Sequence, residues 1–291
     1  DCQAFAGLWQ YCRAVCGAAV AAADAAGHGR CTVAICPQGG RHHARPTKAS
    51  GFCFVNDCAL AALRLSDATG GGNILVCDLD AHHGDGTEET LAFSLHRHGE
   101  GVYPGTGGAR TSRAAGPAGG AVANVPLNAG CRDAKWVAAL MAAVDSLAAE
   151  VPLAGVVIQC GVDGLGADPR RLLNLSHRAY RQGVAHLLGL GLPTVVLGGG
   201  GYNDAAAACA LVHVVDVAMG APADVPRWVP RRMPSAFAGA ELLRRVGIRA
   251  GLAVPTTLAP DDNSWEDVAD VTRVVRAALE SGRAPGRRAA A

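Results

Sequence analysis

The sequence predicts an α/β fold, three layers deep, with a mostly parallel sheet between helices. Three observations carry this. Short apolar runs alternate with longer segments of helical spacing. The runs are continuous rather than alternating, as in strands covered on both faces. Each run ends in a polar or glycine motif, and α/β sheets bind ligands outside the carboxyl ends of their strands.

Taken in order, Phe5, Leu8, Trp9, Cys12, Val15, Cys16 and Ala19 recur at helical spacing, and Gly27 to Gly29 end that helix. A strand from Thr32 to Cys36 leads into Gly39-Gly40-Arg41-His42-His43-Ala44. Phe52 to Leu65 reads as a mostly buried helix with Asn56 and Asp57 in its early turns. Gly70 to Gly72 then bound the strand Ile74, Leu75, Val76, which runs into C-D-L-D-A-H-H-G-D-G, Cys77 to Gly86. Residues 87–131 are rich in glycine and read as loops, with a short strand at Phe93, Ser94 and Leu95 and a compact turn at Tyr103-Pro104-Gly105-Thr106-Gly107.

From Asp133 the alternation is clear. Trp136, Leu140, Met141, Val144 and Leu147 mark a helix, and Gly155 to Gln159 a strand ending at Cys160-Gly161-Val162-Asp163. Ala179, Tyr180, Val184, Leu187 and Leu188 mark the next helix, Thr194 to Leu197 a strand ending in Gly198 to Gly201 and Tyr202, and Asn203 to Met219 another helix. Pro222, Pro226, Pro230 and Pro234 punctuate a polar connection to a terminal helix carrying Trp265, Val268, Val271, Val275 and Leu279, with Asn263 or Ser264 as its N-cap. Gly282 to Ala291 reads as a disordered basic tail.

Hydrophobic residues make up 50% and charged residues 18% of the 291, with a formal net charge of +1, which argues neither for nor against a polyanionic partner. The eleven cysteines are odd in number, scattered and free of any C-x-x-C, so reduced core thiols in an intracellular compartment are expected. No uninterrupted apolar run has transmembrane length. The chain opens at Asp1 without methionine, so targeting signals are not readable from it.

The chemistry concentrates in Cys77 to Gly86. Period two places Asp78, Asp80 and His82 on one side of an extended chain. Asp and His donors suit Zn²⁺ at roughly 2.0–2.2 Å, and a catalytic zinc takes three protein ligands and keeps one position for water. Asp163, also beyond a strand, is the candidate third ligand with Asp80 and His82. Such a site needs a base. His42 and His43 are the candidates, with Asp78 and Asp85 available to orient them. Tyr202, reached through four glycines, can donate to a developing oxyanion, although a tyrosine viewed alone is more often a packing residue. No Lys-Ser/Thr follows those glycines, so they are not a P-loop.

At these residues the sequence resembles the zinc-dependent histone deacetylases, closest to the class I type, through G-G-R-H-H-A, A-S-G-F-C-F-V-N-D, D-L-D-A-H-H-G-D-G-T-E-E, Y-P-G-T-G, Q-C-G-V-D and L-G-G-G-G-Y-N. The resemblance implies an arginase/deacetylase-like fold and hydrolysis of N6-acetyl-lysine. It assigns zinc to Asp80, His82 and Asp163, general acid–base duty to His43 paired with Asp85, a His42–Asp78 pair beside it, and polarisation of the acetyl carbonyl to Tyr202. Gly51, Phe52, Tyr103, Arg170 and Gly200 then belong to the substrate channel, and a structural potassium ion near Asp78, Asp80, His82, Ser94 and Leu95 is typical of the family. Residues 1–220 would be the catalytic domain, 221–281 its C-terminal part, and 282–291 the tail.

Three departures from the family pattern stand out. Asp1 looks like an internal start, with early strands and an acidic residue at the channel rim missing. Between Glu89 and Ser94 the chain is shorter, which should remove a turn, part of the strand leading into Ser94, and a second cation site. Arg170 occupies a usually apolar wall position, where a buried guanidinium would narrow the channel or select an acidic ligand. Expected partners are acetylated histone tails or other acetyl-lysine proteins and a corepressor complex, without sequence-specific nucleic-acid or membrane binding, in nucleus, cytoplasm or both. The alternatives are an acetylpolyamine-type amidohydrolase and a truncated, inactive homologue that binds acetyl-lysine or a corepressor.

Overall fold

Period two decides which side chain faces which layer. Ile74 and Val76 point to one face of the central strand and Leu75 and Cys77 to the other, and all four are buried. The computed structural model describes residues 1–88, 90–114, 121–222 and 256–280. Within them lie strands β1 (Val33–Cys36), β2 (Asn73–Asp78), β3 (Leu91–Arg97), β4 (Val122–Leu127), β5 (Leu153–Gln159) and β6 (Thr194–Leu197). They form one six-stranded sheet in the order β1-β6-β5-β2-β3-β4, with every pair parallel.

Helices α1 (Leu8–Gly27) and α2 (Asp57–Ala68) cover one face, packing Ala19, Ala23, Ala61 and Leu65 on Ile74, Val76, Val157 and Val195. On the other face lie α3 (Asp133–Glu150), α4 (His177–Leu188), α5 (Asp204–Ala218) and α6 (Trp265–Glu280). These bury Trp136, Leu140, Tyr180 and Val184 against Leu75, Phe93, Val156 and Ile158. Each such side chain contributes about 1.5–3 kcal/mol of burial, so the two layers together fix the strand register. The three-layer α/β architecture read from the sequence is the one observed.

Several local expectations are corrected. The helix expected from Phe52 begins at Asp57. Gly51 and Phe52 both adopt positive φ, and the Asn56 side chain accepts the Ala59 N–H as N-cap. The 87–131 stretch holds two strands rather than loops with one short strand, and β3 runs a full seven residues into and past Ser94. At the terminal helix Ser264 is the cap. Its Oγ accepts from Asp267 N at 3.0 Å while Asp267 Oδ2 accepts from Ser264 N at 2.7 Å, a reciprocal capping box.

The last described segment is tied to the same core. Val268, Val275 and Leu279 join the α3 cluster, and Lys135 pairs with Asp261 at 3.0 Å. All eleven cysteines are unpaired. Among the described residues no helix is long and apolar enough to cross a membrane. The prolines at 226, 230 and 234 and the expected tail from Gly282 lie outside the described residues.

Candidate active site and metal centre

β1, β6, β5 and β2 are consecutive neighbours in the sheet, so their carboxyl ends share one edge. The loops beyond them bring together His42 and His43, Gly198 to Tyr202, Asp163, and Asp78 to Asp85.

Asp80, His82 and Asp163 offer one ligand atom each, all within 4.8 Å of one another. Backbone and amide donors hold the two carboxylates in place. Asp80 Oδ2 accepts from Gly200 N at 2.9 Å and Gln159 Nε2 at 3.1 Å, and Asp163 Oδ1 accepts from Ala81 N at 2.7 Å. Glycine is required for this approach. A Cβ on Gly161 would stand 2.0 Å from Asp80 Oδ2, and one on Gly200 2.6 Å from Asp163 Oδ2. Gly200, expected in the substrate channel, lies against both carboxylates and lines a cavity with His43, Phe52 and Tyr202.

The three donors fit a cation. His82 Nδ1 lies 3.0 Å from Asp80 Oδ1 in hydrogen-bond geometry, and 2.7 Å from Asp163 Oδ2 without it. Asp163 Oδ2 is consequently buried with no hydrogen-bond donor, a costly condition for a carboxylate. Burial first, and then the charge of Asp80, push the Asp163 carboxyl up to about 7. A divalent ion among the three atoms would relieve both the orphaned oxygen and the repulsion. Two oxygens and one imidazole nitrogen form a donor set of catalytic-zinc type with a position left open.

Above the triad stand two imidazoles with opposite tendencies. His42 Nδ1 is 2.6 Å from Asp78 Oδ2, and His43 Nδ1 is 2.8 Å from Asp85 Oδ1. Burial works to lower the His42 pKa, but the carboxylates of Asp78 and Asp80 outweigh it and raise it to about 9. For His43, burial and the neighbouring His42 charge dominate and lower it to about 4. At neutral pH His43 is therefore unprotonated, with Nδ1 engaged and Nε2 free to accept. Arg45 shares Asp85 through Nε at 3.0 Å and Nη2 at 2.6 Å.

A cavity of about 200 Å³ leads to this floor, lined by Phe52, Gly51, Tyr103, Arg170, Tyr202 and Asp1 above His43 and His82. Tyr103 sets its ring edge-on to His43 at 4.9 Å. The Tyr202 phenol is held protonated by burial and then by the charges of Asp80 and Asp163, so it is a donor at neutral pH. A second cavity of about 330 Å³, lined by Tyr11, Gly40, Arg41, His42 and Gly200, shares His43, Gly51, Phe52 and Tyr202 with the first.

Two expectations about the rim are corrected. Arg170 is exposed rather than buried, with its guanidinium carbon 4.9 Å from the centre of the Tyr202 ring. Nor is an acidic rim residue missing. Asp1 stands at the mouth and its Oδ2 accepts from Gly51 N at 3.0 Å. Two further residues escaped the sequence reading. Gln159 holds Asp80 and the Gly40 carbonyl together. Asp168 accepts from Arg170 N and Tyr202 N, both at 2.8 Å. The Asp-Pro dipeptide was the available signal for Asp168, since an Asp commonly turns the chain by bonding the backbone two residues on.

Residues 1–218 match the histone deacetylase domain. The chain belongs to the histone deacetylase family. It is 31% identical to histone deacetylase 8 of Danio rerio over 97% of this chain and 73% of the relative. It is 36% identical to histone deacetylase RPD3 of Saccharomyces cerevisiae over 70% of this chain and 48% of the relative. Against histone deacetylase clr6 of Schizosaccharomyces pombe the figures are 35%, 70% and 51%, so the chain spans about half the length of the two yeast relatives. Membership places the chain among the deacetylase hydrolases and implies a metal cofactor, for which the Asp80, His82 and Asp163 triad is the site the fold offers.

Proposed function

We propose that this chain is a zinc-dependent deacetylase that hydrolyses N6-acetyl-lysine in histones or other proteins and releases acetate. The observation that carries the proposal is the buried Asp163 Oδ2, without a hydrogen-bond donor in a three-donor cluster, together with one cavity that His43, His82 and Tyr202 line.

Zinc bound by Asp80, His82 and Asp163 would acidify a water and polarise the acetyl carbonyl. The chain's own residues do the rest. His43 accepts the water proton at Nε2, because Asp85 fixes its Nδ1–H, and returns it to the departing lysine amine. Tyr202 donates its hydroxyl hydrogen to the carbonyl oxygen as negative charge develops there. His42, kept charged by Asp78, adds a positive field beside the reacting centre. Phe52 and Tyr103 wall the passage for the apolar lysine stem.

By the same reading a potassium ion sits near Asp78, Asp80, His82, Ser94 and Leu95, supported by the β2–β3 register that sets Asp78 opposite Ser94. Residues 1–220 form the catalytic domain and 221–281 its C-terminal part. The setting is chromatin and transcription regulation, within a corepressor complex in the nucleus or cytoplasm.

Acetate release from an acetyl-lysine peptide tests the activity. Chelation is expected to abolish release, restoring zinc to recover it, and a hydroxamate to inhibit it. A preparation with stoichiometric zinc and no turnover anywhere between about pH 6 and 9, the range in which an acid–base pair works, would instead mark a binding module.

A further inference from the structure

The mouth of the cavity carries a cation that the reaction above does not use. Asp168 is 3% exposed and gives both carboxylate oxygens to backbone N–H groups, one to Arg170 and one to Tyr202. One buried side chain therefore pins the β5–α4 loop to the glycine loop. It fixes where Arg170 leaves the surface, and the guanidinium then lies on the Tyr202 ring at 4.9 Å, within the range of a cation–π contact.

The nearby carboxylates are committed elsewhere: Asp168 to those two backbone groups, Asp1 to Gly51 N. Among the described residues no carboxylate forms a salt bridge with Arg170, and the residue lines the cavity with Asp1, Phe52 and Tyr103. The acetyl end of a substrate must descend to Asp80 and His82, so what meets Arg170 is the part left outside, the residues next to the modified lysine.

We propose that Arg170 is a specificity-determining residue, selecting acetyl-lysine beside an acidic residue and disfavouring polycationic substrates such as acetylpolyamines or lysine-rich tails. This rests on the deacetylase reading. An exposed ion pair is worth up to about 1 kcal/mol, about fivefold.

The test uses the full chain with zinc and acetyl-lysine peptides identical except for Glu or Lys at both neighbours of the acetyl-lysine. The expected kcat/KM ratio is about fivefold in favour of Glu, shrinking at high salt. It falls to near one in Arg170→Ala and inverts in Arg170→Glu. Equilibrium binding of both peptides is measured in parallel. A chain that turns over neither peptide but binds the Glu form more tightly, through Arg170, retains this inference and loses the deacetylase reading. Equal binding and turnover of the two peptides, or a preference unchanged in Arg170→Ala, overturns it. So does an Arg170-dependent preference for a succinyl-lysine peptide with neutral neighbours, which would place the recognised carboxylate on the acyl group.

Discussion

Replacing His43 with alanine is expected to lower kcat by about 10²- to 10⁴-fold, the range a positioned acid–base group supplies, while metal content and melting temperature stay near wild type. The variant should fold because Asp85 keeps its two bonds from Arg45 and is not left as an unpaired buried charge. The equivalent change at His42 would be a poor probe. It strips the partner from Asp78 Oδ2 on a fully buried side chain, and an orphaned buried acceptor costs about 1–3 kcal/mol, more when charged. Tyr202→Phe complements the first variant. It removes one oxygen and keeps the ring under Arg170, and a loss of about 10²- to 10³-fold is expected for a missing oxyanion donor. Steady-state kinetics with metal analysis on the same samples decide the matter. A His43→Ala enzyme within tenfold of wild type would remove His43 from the reaction.

Asp163→Asn is expected to weaken metal binding by more than the roughly 10- to 100-fold that loss of an outer partner costs. Asparagine can keep the bond from Ala81 N through its carbonyl oxygen, and it puts an amide where Oδ2 faces His82. The loss therefore belongs to ligation and not to loop collapse. Without metal, the variant should melt no lower than metal-free wild type, since one of two facing buried carboxylates has become neutral. Excess zinc at about 1,000 times Kd should stabilise wild type by about 4 kcal/mol and the variant far less. Thermal melts with and without zinc read both halves. Equal zinc stabilisation of the two proteins would exclude Asp163 as a ligand.

Much of this site was legible in the sequence because its residues follow continuous apolar strands, and parallel strands deliver their ends to one edge. Asp80, His82, His42 and His43 could be placed from strand ends and spacing alone. What escaped was set by contacts the chain makes with itself at long range. β4 carries little strand signal because it contains Asn124 and Pro126 and follows a glycine-rich stretch; a proline is tolerated at a sheet edge, which is where β4 lies. Phe52 to Val55 mimics an apolar helix face ahead of α2, and the Asn56 cap is the signal that marks its true start. Whether Arg170 is buried or exposed depends on how the loop around Asp168 docks on Tyr202 N, 34 residues away, which the local Asp-Pro turn does not specify.

The bond from Ala81 N to Asp163 Oδ1 joins positions 82 residues apart, and the proposed metal ligands straddle the same gap. Between them the chain must complete β3, β4, α3 and β5 before Asp163 can arrive beside His82. An ion can be gripped only by molecules that have finished that whole excursion, so binding energy is released at the end of assembly. If the ion is zinc, its occupancy in a preparation would be a census of the correctly assembled molecules, readable without any substrate.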